Sequence, residues 1–215
     1  MRSFLITVIL FVLVCGLMAV TIICHWIALG TNSWLRSNTD VKQDFLRIGH
    51  FEACFDDYYH PHEKTPTKYD GCHGLYSDHY RNIRDWLIPS WLVSAKILAV
   101  IALVMQLVSA CLVVLLVLWV FCKWAVCYKN DDWCERIVYY TAPILFILSG
   151  MFMMAVVMIW ADNAFRLQCK DFWVGKPNHN HLSYSWGFEV AATVFAFVSG
   201  GLLIWVVALR AREEI

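Results

Sequence analysis

The sequence predicts an all-α membrane protein of four spans with a folded loop between the first two, and three observations lead there. Hydrophobic residues make up 60% of the 215 positions and charged residues only 16%, against roughly 45–50% and about 25% in soluble domains. Four apolar runs, at 4–29, 91–122, 137–161 and 186–209, each exceed the ~20 helical residues needed to cross about 30 Å of hydrocarbon. Tryptophans then cluster at the ends of those runs: Trp34, Trp86, Trp91, Trp160 and Trp186 toward one interface, Trp119, Trp124 and Trp133 toward the other. Amphipathic rings prefer the headgroup level, so the two belts support these span ends.

The run at 4–29 is about twice as long as the apolar core of a secretory signal, and no small-x-small site closes it. It reads as a retained span. The second run reaches roughly 48 Å at 1.5 Å per residue, longer than the bilayer core, so its outer end projects beyond the membrane. Lys96, one to two turns into it, can snorkel to the interface. Span four carries Ala192, Ala196 and Gly200 at four-residue spacing. Small residues let helix backbones approach closely in lipid, as an internal seam or, less often, a dimer face.

The connections are unequal. About sixty residues (30–90) join spans one and two, a short loop (123–136) joins two and three, and 162–185 joins three and four; the whole, 1–215, reads as one four-span domain. Arg2, Lys123, Lys129, Arg136, Arg210 and Arg212 lie on the side of the termini and the short loop, which favours that side as cytoplasmic. Both longer loops are then extracellular.

A sixty-residue connection is too long for a linker, and its apolar content is that of a small domain. Phe45, Leu46, Ile48, Phe51, Phe55, Tyr58, Tyr59, Leu75 and Tyr76 can supply a core. The stretches 44–49 and 51–55 alternate as strands do, 58–71 reads as an irregular hairpin tip, and 78–88 as a short helix or turn returning to the membrane.

Nine cysteines sort by compartment. Cys15, Cys24 and Cys111 lie within spans as buried thiols. Cys122, Cys127 and Cys134 lie at the inner side and are candidate S-palmitoylation sites, with unmodified thiols as the alternative. In an oxidising compartment Cys54 and Cys72 form the natural disulfide, and Cys169 remains free, pairs between subunits or exchanges with one of them.

Chemistry-bearing motifs are sparse. His60, His62, His73, His179 and His181 offer no convergent ligand set, so no metal or cofactor is expected. Phosphate-loop, nucleophile-elbow and His-Glu-x-x-His patterns are missing from the sequence. Polar groups within the spans amount to little beyond Lys96, Gln106 and Glu189, and Glu189 reads as an interface residue or bundle hydrogen bond rather than a proton relay. These observations argue against an enzyme, a catalytic site or a small-molecule substrate. Net charge is zero, which gives no electrostatic case for nucleic acid. In the long loop, nine acids outnumber seven bases, and Asp56, Asp57, Glu63 and Asp70 cluster at the tip as candidate ion-facing acids.

Trp34, followed by Gly49, His50, Phe51 and Cys54 and then Cys72, resembles the claudin signature Trp…Gly-Leu-Trp-x-x-Cys…Cys in the matching loop of a four-span frame. His50-Phe51 stands where that signature has Leu-Trp, and Lys96 stands near where claudins carry an Arg. The chain is therefore identified as a divergent member of the claudin, peripheral myelin protein and stargazin-like group, similar to the invertebrate claudin-like (Pasiflora-like) proteins of septate junctions. The resemblance implies a claudin-like fold: a membrane all-α four-helix bundle topped by a small extracellular antiparallel β-sheet. Cys54–Cys72 would pin that sheet, and a second-loop strand near 167–174 would join it. It further implies plasma-membrane localisation at lateral cell–cell junctions, contacts with lipids and with other junction membrane proteins, self-association, and a part in the paracellular barrier. The alternative it implies is an auxiliary subunit of an ion channel or receptor.

Overall fold

The computed structural model describes residues 2–37, 44–60, 67–126, 132–166 and 180–213, with side chains over 9–37, 44–60, 67–118, 140–164 and 180–209. The elements among the described residues follow in the order α1 (Arg2–Gly30), β1 (Leu35–Ser37), β2 (Phe45–Ile48), β3 (Glu52–Tyr59), β4 (Lys68–Gly74), a 3-10 turn (Asp78–Tyr80), α2 (Arg84–Leu87), α3 (Ser90–Val126), α4 (Asp132–Arg166), β5 (Asn180–Leu182) and α5 (Tyr184–Glu213). Four segments are long and apolar enough to cross a membrane: Ile9–Gly30, Ser90–Leu118, Tyr140–Ala164 and Tyr184–Leu209. The architecture is a bundle of four membrane helices with a small antiparallel sheet built from the two longer loops.

The chain forms two compact units. The first comprises Met1–Cys24, Val100–Met153 and Ala191–Ile215, and its core gathers Val14, Met18, Ala102, Phe146, Met153, Ala196 and Leu203. The few polar side chains here are partnered within the bundle, since lipid offers them no water. Ser109 Oγ donates to the Ala142 carbonyl at 2.8 Å, and the Gln106 amide donates to Met153 Sδ. The small residues of α5 are an internal seam: Ala192 and Ala196 are buried, and a Cβ on Gly200 would come within 2.5 Å of Ile147 Cγ1. Outward positions such as Val12, Val20, Leu115 and Met151 are exposed and apolar, as lipid contact requires.

The second unit comprises His25–Ala99 and Met154–Val190. Its sheet has the strand order β4-β3-β2-β1-β5, every pair antiparallel. Phe45 and Ile48 on β2 and Phe55 and Tyr58 on β3 are buried. Phe55 and Tyr58 are three residues apart, which strict alternation would send to opposite faces. The ladder with β4 slips between them, and Asp57 takes a positive φ of 55° there, so a bulge returns Tyr58 to the core. Tyr58 then stacks on Phe55 at 5.0 Å and on Trp86 at 5.8 Å between ring centroids. Tyr80, from the 3-10 turn, closes the core by donating its hydroxyl to the Ala53 carbonyl at 2.8 Å.

Several sequence expectations are corrected here. Leu46, Phe51, Tyr59 and Tyr76 are exposed rather than core, while Trp34, Tyr69, Tyr80, Ile83 and Leu87 are buried. The tip is shorter than 58–71, because β3 runs to Tyr59 and β4 starts at Lys68. The second-loop strand is Asn180–Leu182, paired with β1; the expected strand at 167–174 lies outside the described residues.

Gly49 is where the loop closes on the end of α1. A Cβ there would meet the Thr31 carbonyl oxygen at 2.5 Å and Asn32 Cα at 2.6 Å, both backbone atoms. Nothing flexible can yield, so Gly49→Ala is expected to destabilise the fold by about 2–4 kcal/mol. Melting of the detergent-solubilised protein checks this, with Gly30→Ala, which meets no atom within 4 Å, as the control.

Candidate functional site: the loop sheet and its buried polar layer

Trp34 organises the region. Its backbone N–H donates to the Ile48 carbonyl at 3.0 Å, its carbonyl accepts from Ser183 N–H at 3.0 Å, and its indole Nε1 donates to the Ala28 carbonyl at 2.7 Å. The ring meets His50 edge-on at 4.4 Å and Trp160 at 5.0 Å, and Trp91 packs on Trp160 at 5.2 Å. Trp34 and Trp160 are fully buried and so are packing residues, not members of an interfacial belt. Trp34 and Gly49, picked out by motif, thus have a physical account: one fills the layer, the other lets the chain approach it.

His50 lies in the same layer with no exposed surface. Burial, reinforced by the charges of Lys96 and His25, pushes its imidazole down to about 3, so it is neutral at physiological pH. Phe51 is turned outward and shares Lys96 with Tyr76: the ammonium lies 5.1 Å from the Phe51 ring centroid and 4.5 Å from that of Tyr76. The cation is held against aromatic faces, a more specific arrangement than snorkelling to the interface.

Glu189 is not the solitary carboxylate that the sequence suggested. Its Oε1 lies 3.2 Å from His25 Nδ1, and both side chains are buried. His25 Nε2 is 3.0 Å from the Ala99 carbonyl, which can only accept, so that nitrogen carries a proton. The other ring nitrogen, Nδ1, is the one that faces the Glu189 carboxyl group. His25 escaped the sequence reading because it is one polar residue in an apolar run; the available signal was a second ionisable residue, Glu189, in another span.

Cys54 and Cys72 form a disulfide between directly opposed positions of β3 and β4. Arg47 on β2 donates from Nε to Cys54 Sγ at 3.3 Å and from Nη2 to Cys72 Sγ at 3.7 Å. Toward the tip, oxygens of Asp56, Asp57 and Asp70 lie within 4.8 Å of one another, all three residues exposed. Lys68 Nζ binds Asp57 at 2.6 Å, and that contact raises the lysine above its usual range. These three carboxylates attract cations in general, and among the described residues no histidine joins such a group of three. His73 instead stacks on His79 at 4.0 Å, and His60 accepts or donates at 2.9 Å with the Tyr58 hydroxyl. Burial and the neighbouring His73 push His79 down. Glu63, Cys169, His62, His179 and the side chains of Cys122, Cys127 and Cys134 lie outside the described residues.

A family model described as PMP-22/EMP/MP20/Claudin tight junction matches residues 19–205. A comparison with curated proteins gives no match.

Two outcomes test the polar layer. His50 is depressed in the folded state, so its contribution is fully present above the unfolded value near 6.5 and is lost as pH falls toward about 3. Stability should drop by about 1.4 kcal/mol per pH unit through that window from this group. Denaturation of wild type and His50→Leu across pH 7 to 4 should show the extra slope only in wild type. For the buried pair, Glu189→Leu should cost about 3–5 kcal/mol by stranding His25. The double change His25→Leu/Glu189→Leu should cost less than the sum of the single changes, as a double-mutant cycle in lipid nanodiscs will read.

Proposed function

We propose, from the premise that the chain belongs to the PMP-22/EMP/MP20/Claudin family, that it is a cell-junction membrane protein contributing to septate- or tight-junction assembly and the paracellular diffusion barrier. The observation carrying this is the five-stranded sheet on a four-span frame, whose edge strand β4 is largely exposed. An exposed edge presents unpaired backbone donors and acceptors, which suits side-by-side or cross-cell assembly with neighbouring copies or other junction proteins. Exposed Phe51, Tyr59 and Tyr76 add the aromatic surface that such contacts favour.

The disulfide supports the orientation, since such bonds persist in oxidising compartments. The sheet then faces the extracellular space at the lateral plasma membrane, and both termini are cytoplasmic. Asp56, Asp57 and Asp70, with Lys68 offsetting part of their charge, would give a gap lined by the tip a preference for cations. The protein would act through shape and charge rather than by catalysis.

The test is depletion of the protein in a polarised epithelium, following its surface location and dye leakage between cells together. Lateral enrichment with increased leakage on depletion is the expected result. Surface expression without junctional enrichment, and no leak on depletion, would reject the barrier role and favour an auxiliary subunit of a channel or receptor.

A further inference from the structure

The register of the sheet lines up one row of residues across all five strands. His181 on β5 pairs with Arg36 on β1, Arg36 with Arg47 on β2, Arg47 with Cys54 on β3, and Cys54 with Cys72 on β4. Directly opposed residues share a face, so three basic side chains lead in line to the disulfide. Like charges set opposite one another repel, which makes the Arg36–Arg47 pairing unfavourable by itself. Arg47 spends its guanidinium on sulfur, 3.3 Å from Cys54 Sγ and 3.7 Å from Cys72 Sγ. The Asn32 amide donates to Cys54 Sγ as well, at 3.6 Å. The two residues also differ in exposure: Cys54 has no exposed surface, whereas Cys72 is exposed on the edge strand.

We propose that Cys54–Cys72 is a thiol–disulfide exchange site for an anionic low-molecular-mass thiol, which attacks at Cys72 and releases Cys54 as a thiolate. Exchange rates rise as the leaving thiol becomes a better anion and depend on which sulfur an attacker can reach. Both criteria select the same direction here. The incoming thiolate forms a bond to Cys72 Sγ, the Cys54–Cys72 bond breaks, and its electron pair remains on Cys54 Sγ. Arg47 and Asn32 stabilise that charge, as cationic and amide donors do for reactive thiolates. No proton or external oxidant is consumed, and the net charge carried by sulfur is unchanged. In reverse, the Cys54 thiolate attacks Cys72 Sγ, expels the small thiol and restores the bond. Arg36, exposed beside Arg47 in the row, raises the local concentration of an anionic attacker. The exchanged form frees β4 from its covalent tie to β3, so the site couples the thiol balance of the surrounding medium to the order of the sheet edge.

The experiment uses the full chain in lipid nanodiscs, with its free thiols first blocked by N-ethylmaleimide. Glutathione is added, new thiols are trapped with iodoacetamide, and the two positions are read by peptide mass spectrometry. The expected product carries glutathione on Cys72 and the alkyl group on Cys54. Arg47→Gln should slow exchange about fivefold, with Arg47→Lys keeping most of the native rate. Arg36→Gln should slow reaction with glutathione more than with neutral 2-mercaptoethanol. Glutathione on Cys54, an even distribution between the cysteines, or no adduct until the protein unfolds would each overturn the proposal. The adduct position in the native protein decides even where an Arg47 variant does not fold. An unchanged rate in a folded Arg47→Gln protein would also overturn it.

Discussion

The placement of Trp34 is the interaction on which the loop domain depends. A single residue ties the end of α1 through Ala28, strand β2 through Ile48, and the start of α5 through Ser183, while its ring meets Trp160 of α4. Each bond satisfies a polar group that would otherwise be stranded away from water, a cost of roughly 1–3 kcal/mol apiece. The backbone makes the bonds to Ile48 and Ser183, and the indole, with one donor and a large apolar body, makes the other two contacts. Gly49 is its counterpart. Because no Cβ intervenes, the β2–β3 connection can lie against the Thr31–Asn32 backbone and bring His50 onto the Trp34 ring.

Around that layer, charge is handled in three different ways, each dictated by local water access. His50 has no acceptor or acid to justify a proton and stays neutral. His25 and Glu189, equally buried, are set against each other at 3.2 Å, and pairing is how ionisable groups within spans are ordinarily tolerated. Lys96 lays its side-chain nitrogen against two aromatic faces at the margin. A cation close to the neutral imidazole also disfavours protonating it, so the lysine and the histidine support each other's states. The layer is therefore a linked electrostatic arrangement rather than three separate accommodations of polar residues.

How much of this was legible in the sequence follows from the length scale of each signal. The spans were, because about twenty apolar residues in a row have few other uses, and four helices long and apolar enough to cross a membrane stand among the described residues. Strand β2 and the first half of β3 were, from the apolar residues at 45, 46, 48, 51 and 55, whereas the run of β3 on to Tyr59 depends on a bulge that alternation does not show. Strand β4, Lys-Tyr-Asp-Gly-Cys-His-Gly, was not: its composition opposes β structure, and its place comes from pairing with β3 and from the disulfide. Strands β1 and β5, three residues each, are too short to show a period. The tryptophan belts misled for a related reason, since an indole near a span end has the same sequence signature whether it faces headgroups or packs inward as Trp34 and Trp160 do. Pairing across the chain, as between His25 and Glu189, leaves no local trace.

The weakness of β4 bears on the whole sheet. Strand pairs gain stability from opposed side chains, and β4 opposes Gly74 to Glu52 and Gly71 to Phe55, so two of its positions contribute no side-chain contact. Tyr69 supplies its buried anchor, and the Cys54–Cys72 bond adds a covalent constraint. Such a cross-link acts largely by limiting the unfolded chain, by roughly 3 kcal/mol for a loop of this size, with the sulfurs separated by 18 in sequence. The Lys68–Asp57 ion pair and the His73–His79 ring contact add to these at its two ends, so the edge is held by its pairing to neighbouring elements rather than by its own strand propensity. The same strand carries Asp70 at its tip side and Cys72 midway.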